Sequence, residues 1–284
     1  MSIRMQCRAL LALLLLALFA GPLAAEPDAR LQGGTPEARA HAYMALDPPD
    51  WEAAREAFRE AAEAGSSTAM SHIGWMYEEG HGVEPDGSEA VRWYGRAARA
   101  GADEFAVKVA WMYLSGDGVA RDREQAEYWF SHAMDSGHVP AKTAWASVLI
   151  ADALGGRNTE GVLEARSLLE EALEAGQVLA AYFLARLYIE GIGGHPVDDV
   201  LAARYTRIGA EDGHEQMQGW LAFMYYNGQG VDADRVAAAK WANLAAAEGD
   251  VLGNELRQVL EEELGPDEIQ QARHLAVEWA LGRP

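Results

Sequence analysis

Residues 66–101 read SSTAMSHIGWMYEEGHGVEPDGSEAVRWYGRAARAG, and this stretch decides the fold. Its first half puts Ala69, Ile73, Gly74, Met76 and Tyr77 on one side of a helix with a period of 3.6 residues. Its second half does the same with Ala90, Trp93, Ala97 and Ala98. Between them Gly80-His81-Gly82-Val83 reads as a turn, and Gly101 closes the unit. A two-helix unit of about 36 residues cannot bury its apolar side alone, so it requires further copies stacked against it.

The copies are present. Five units run consecutively at 66–101, 102–137, 138–176, 177–213 and 214–249, and each ends on glycine, where a helix finishes most easily in a left-handed conformation. The first-helix stripe recurs as Val109, Ala110, Met112 and Tyr113, as Leu184, Ala185, Leu187 and Tyr188, and as Leu221, Ala222, Met224 and Tyr225. In the second helices Ala126 and Trp129, Ala202 and Tyr205, and Ala238 and Trp241 correspond to Ala90 and Trp93. Small residues let two backbones approach, and the aromatic ring fills the space between adjacent pairs. Gly116, Gly191 and Gly228 correspond to Gly80, and Gly118, Gly193 and Gly230 to Gly82, while Val83, Val119 and Val231 are expected to dip into the core. Asp86 and Asp122, with Glu89 or Gln125 three residues later, have the form of capping boxes, and Asp198 and Asp234 hold the same register.

The third unit departs most. It is the longest, has Val148-Leu149 in place of Met-Tyr, and its turn at 151–157 lacks the spaced glycines, which predicts either a bend or a projecting loop there. Residues 35–65 read as a degenerate first repeat, opened by the cap-then-proline pair Thr35-Pro36 and closed by Gly65. Residues 250–284 read as a closing helix pair whose charged face meets water. The pattern therefore predicts an all-α solenoid of antiparallel helix pairs, about seven in number.

Residues 1–25 are of another kind. Arg4 and Arg8 precede an unbroken apolar run at 9–20, and Leu23-Ala24-Ala25 supplies small residues for cleavage before Glu26, the pattern of a secretory signal peptide. The run is shorter than the roughly 20 residues a spanning helix needs, so stable membrane insertion is not expected once the leader is removed. Residues 26–34 form a polar lead-in. The single cysteine, Cys7, lies within the leader, so the exported chain, periplasmic or secreted, has neither disulfides nor thiol chemistry. The net charge of −21 becomes more negative when Arg4 and Arg8 leave, and such a surface repels nucleic acid and anionic lipid.

Catalytic and cofactor signatures do not emerge. There is no nucleophile elbow, Ser-x-x-Lys, His-Glu-x-x-His or phosphate loop, and Gly191-Ile192-Gly193-Gly194 follows a helix rather than a strand. The eight histidines are scattered, with His138 and His214 at capping places, and the oxygen spacing from Ser115 to Asp122 does not fit a calcium loop. No cofactor, metal site or enzymatic activity is expected.

The full unit resembles the Sel1-like repeat, a relative of the tetratricopeptide repeat; the likeness is closest at 66–137 and 214–249 and weakest at 138–176. The resemblance implies an all-α right-handed superhelix that gathers other proteins. One branch of that family is disulfide-stapled and linked to penicillin-like or peptidoglycan-like ligands; this chain lacks those cysteines, so that activity is not carried over.

The relationship to tetratricopeptide repeats also implies that first helices line an inner groove. Helical spacing then turns His72, Trp75, Lys108, Trp111, Phe183, Arg186, Trp220, Phe223 and Asn227 toward it. Trp75, Trp111 and Phe223 share one register and serve equally as packing between repeats. Alternatively the rings form a discontinuous shelf for a peptide or helix, with Lys108 and Arg186 gripping its carboxylates. The predicted function is a protein-binding scaffold, with a cell-wall glycan or muropeptide receptor as the alternative reading and an enzyme as a second. The partner and the oligomeric state are not readable from sequence.

Overall fold

A computed structural model describes residues 33–157 and 159–282; the leader, Cys7 and most of the lead-in lie outside the described residues. Among those residues there are fourteen α-helices and no strands, arranged as seven helix pairs. In order they are α1 (Pro36–Met44), α2 (Trp51–Glu63), α3 (Ser67–Glu79), α4 (Gly87–Arg99), α5 (Glu104–Ser115), α6 (Arg123–Asp135), α7 (Val139–Leu154), α8 (Gly161–Glu174), α9 (Leu179–Glu190), α10 (Asp199–Asp212), α11 (Glu215–Asn227), α12 (Arg235–Ala247), α13 (Val251–Glu263) and α14 (Pro266–Leu281). The helices divide into two compact units, one of residues up to 105 together with 115–121, the other of 106–114 and 122 onward.

Backbone chemistry repeats as strictly as the side chains. At the end of α4 the Gly101 amide donates to Ala98 and the Ala102 amide to Ala97, a pair of bonds that satisfies the last helical carbonyls and requires the left-handed residue between them. The same pairing occurs at Gly65, Gly137, Gly176, Gly213 and Gly249, all with φ between 86° and 96°. The turn inside each regular unit is tied in a second fixed way. The amides of Asp86, Asp122, Asp198 and Asp234 donate to the carbonyls of Tyr77, Tyr113, Tyr188 and Tyr225, so the end of the first helix sets where the second begins.

Those aspartates cap their helices. Asp234 Oδ1 accepts from the Val236 and Ala237 amides at 3.0 and 2.9 Å, and Asp86 from Ser88 and Glu89. The predicted reciprocal half is taken elsewhere in the first regular unit, because Glu89 pairs with Arg92. Asp234→Ala is expected to lower stability by about 1 kcal/mol in urea denaturation, and Asp234→Asn by much less, since the amide oxygen still accepts.

The second turn glycine has a steric role that periodicity did not show. A Cβ on Gly118 would stand 2.6 Å from the Cα of Gly87, the first residue of α4, in the same compact unit. Gly82 meets Trp51 at the start of α2, Gly193 meets Val162 near the start of α8, and Gly230 meets the Asp199 carbonyl at the start of α10. Each turn thus lies directly on the beginning of the preceding unit's second helix.

In the first compact unit the core gathers Phe58, Met70, Ile73 and Met76, with Trp51, Trp75, Tyr77, Trp93 and Phe105 packed around it. Tyr94 is buried, stacks on Phe105 at 5.2 Å, and donates its hydroxyl to Glu78 at 2.6 Å; burial first, and Glu78 second, push its phenol far above the usual range. Gly74 makes room for that ring, which would lie 2.8 Å from a Cβ. In the second compact unit Phe130, Leu169, Leu184, Leu187, Met217, Leu221 and Leu260 are fully buried.

Two expectations need correction. Val83, Val119 and Val231 are only half-buried, because the turn spends its close contact on the glycine beside them; Ile192, in the fourth unit, is the turn residue that reaches the core. Of the bend or projecting loop expected at 151–157, the first four residues are helix instead. Ala151 to Leu154 form the last turn of α7, which then ends through Gly156 at φ 67° with the Arg157 amide bonded to the Asp152 carbonyl. Asp152 is thereby brought inside, where it ion-pairs with Arg157 at 3.0 Å and with Arg123 at the start of α6.

Candidate functional site

The first-helix residues singled out by spacing fall into different surroundings. In the first compact unit His72 is stacked on Phe58 at 4.6 Å, meets His41 edge-on at 4.9 Å, and bonds through Nδ1 to the Thr68 carbonyl. Trp75 lies 4.2 Å from the His81 ring and 6.0 Å from Trp51. Both are half-buried and enclosed by rings of their own unit, which makes them packing residues first.

In the second compact unit α9, α11 and the residue capping α11 bring four rings together. Tyr182 is their centre. It stacks on Trp220 at 5.4 Å and on His214 at 5.3 Å, and meets Phe183 edge-on at 5.3 Å. One turn along α11, Phe223 stands 41% exposed, and its carbonyl accepts from Asn227 Nδ2 at 3.0 Å. Leu179 opens the other end of the set at 52% exposed. Sequence reasoning missed Tyr182, because its position one residue from the assigned register placed it between the two faces. The signal that could have found it is the pair Tyr182-Phe183, one of few adjacent aromatics in a first helix.

Arg186 is not the free carboxylate grip that spacing alone suggested. Its Nε and Nη2 fork onto Glu190 at 2.7 and 3.1 Å, and that pairing holds its pKa above the ordinary arginine value. An incoming carboxylate would meet a guanidinium whose charge Glu190 already balances, with only its remaining N–H groups to offer. Lys108 is half-buried on α5, and Trp111 is 43% exposed with its edge toward Phe130 at 5.6 Å. His138 and His214 occupy N-cap positions, but neither ring caps its helix; His214 gives its face to Tyr182. Among the described residues no three His, Cys, Asp or Glu side chains gather as metal ligands, and no helix is long and apolar enough to cross a membrane.

Chemically, the α9–α11 face offers rings, one internally balanced ion pair and one amide. It can cover an apolar surface and accept a few hydrogen bonds, and it presents no activated nucleophile or paired acid and base.

Helix pairs closed by glycine, capped by aspartate and tied turn to helix define an all-α repeat solenoid. The model of the Sel1 repeat matches residues 67–101, 104–138, 178–214 and 217–250, and the chain belongs to the Sel1 repeat family. The irregular unit built on α7 and α8 is the one left between matched segments. Among solved structures, a protective antigen of uropathogenic Escherichia coli displaying an SLR fold is similar at 27% identity and a TM-score of 0.66. That match covers 87% of this chain and 52% of the antigen, so the chain spans about half its length. A Sel1 repeat protein from Oxalobacter formigenes is similar in fold at 22% identity and a TM-score of 0.59, over 89% of this chain and 100% of the other. A search of curated proteins gives no match. Sel1 repeat proteins generally act as protein-interaction scaffolds, on a repeat fold that is not itself catalytic.

Proposed function

We propose that this protein is an exported scaffold that binds a protein or peptide partner on the first-helix face of its repeats, centred on α9 and α11. The observation that carries the reading is Phe223, a large apolar ring left 41% exposed one helical turn after Trp220, which itself stacks on Tyr182. An exposed aromatic ring on a helix that also carries half-buried rings is a common anchor of a protein interface. A glycan receptor is supported less well, since sugar stacking needs an open ring face and Trp220 already shares one with Tyr182. The leader pattern at 1–25 supports export.

The binding reading is tested by placing a photo-crosslinking phenylalanine analogue at position 223 and, as control, at Leu163 on α8, in the intact exported protein. A discrete adduct from 223 and none from 163 is expected; adducts of equal yield from both would remove the assignment to this face. Export is tested by sequencing the N-terminus of protein recovered from outside the cytoplasm, which is expected to begin at Glu26.

A further inference from the structure

Many cations among the described residues are paired with a carboxylate on their own or an adjoining helix. Arg59 pairs with Glu56 and Arg92 with Glu89, each three residues back along its helix. Counted from the closing glycines Gly65 and Gly213, Arg207 on α10 stands where Arg59 stands on α2, and the position of Glu56 is taken by Arg204. Counted from Gly101 and Gly249, Lys240 on α12 stands where Arg92 stands on α4, and the position of Glu89 is taken by Ala237. Both cations have lost the glutamate that serves their counterparts.

They line the same cleft. Two adjoining cavities of about 680 and 670 Å³ in the second compact unit share Arg207, Tyr225, Asp234 and Val236, and the second is completed by Lys240, Trp241 and Leu275. Arg207 Nη2 donates to the Tyr225 hydroxyl at 3.0 Å, which fixes the guanidinium without neutralising it. Lys240 Nζ lies 4.4 Å over the Trp241 ring. The carboxylates nearby are partly committed: Asp234 caps α12, and Glu268 accepts from the Gly265 amide at 2.9 Å. Glu211 and Asp232 also line the cleft, and its third cation, Arg235, is already paired with Glu263.

We infer that this cleft binds a carboxylate carrying an apolar group, as at the C-terminus of a peptide ending in a hydrophobic residue. The carboxylate is held between Arg207 and Lys240, and the apolar group lies on Trp241, Leu275 and Val236. Partial burial lowers the Lys240 pKa more than Glu211 raises it, so the ammonium gains from an added negative charge. The site is separate from the α9–α11 face and does not depend on it.

The test is calorimetric titration of the full chain with N-acetyl-Ala-Ala-Phe and with the same tripeptide as its C-terminal amide. The free acid is expected to bind about tenfold or more tightly than the amide. Lys240→Gln, and Arg207→Lys, which keeps the charge but loses the fork, are each expected to weaken the acid by about tenfold while thermal unfolding stays in place. Equal binding of acid and amide would overturn the inference, and so would binding of the acid unchanged in both variants. Inorganic phosphate competing as well as the tripeptide would overturn the apolar part of it.

Discussion

Gly230→Ala is expected to be the most damaging single-methyl change in the protein, at about 3 kcal/mol or more of stability in denaturant unfolding. Two costs add. The φ of 69° is left-handed, where an L-residue costs roughly 1–2 kcal/mol. The new Cβ also falls on the Asp199 carbonyl, which is backbone at the start of α10 and has no rotamer to give, so the turn must lift off the preceding unit. Gly249→Ala provides the control. Its φ of 92° is also left-handed, but nothing lies within 4 Å of the added carbon, so only the conformational cost of about 1–2 kcal/mol remains. Equal losses in the two variants would show that the close approach at Gly230 contributes nothing.

The second large effect concerns Asp152. Its carboxylate is 9% exposed, while the side chains of Arg123 and Arg157 are 44% and 68% exposed. Removing the acid lets both half-exposed guanidinium groups return to water, so Asp152→Ala is expected to cost only the net value of the lost bonds, about 1–2 kcal/mol. Removing the cations strands a buried charge, and the double variant Arg123→Gln with Arg157→Gln is expected to cost about 3 kcal/mol or more. Denaturation of the three proteins at neutral pH checks the order. The reverse order, with the acid the worse loss, would mean that the carboxylate is held by something other than these arginines.

The sequence carried the helices, the closing glycines and the capping aspartates, because each is local: a few adjacent residues determine the geometry, and repetition averages out the exceptions. What it hid depends on contacts between distant segments. The steric reason for Gly118 is another glycine, Gly87, whose only signal is the lack of a side chain. Asp152 reads as part of a turn because the arginine that reaches it from the start of α6 is 29 residues away in the chain, beyond any local pattern. In the candidate face, Phe183, Trp220 and Phe223 were legible from spacing, and the Arg186–Glu190 pair was legible as an i,i+4 match. Tyr182 was not, since a strict one-in-four register cannot represent a residue that serves two neighbouring helices at once.

The Schellman-type closure found at six glycines has a consequence for how such a chain can change length. Each closure is built from main-chain groups and one absent side chain, so it is indifferent to which unit follows. A duplication or loss spanning from one closing glycine to the next recreates the same joint, whatever the surface residues between. A single extra residue is taken up inside the unit instead, as in 177–213, where the turn is one residue longer than at 228–234 while the Asp198 amide still reaches Tyr188 and Gly213 still closes the unit. Growth by whole units and tolerance of extra residues within a turn are thus two results of one geometry. Side chains on the exposed faces are then free to drift from copy to copy, as Arg204 and Ala237 have done.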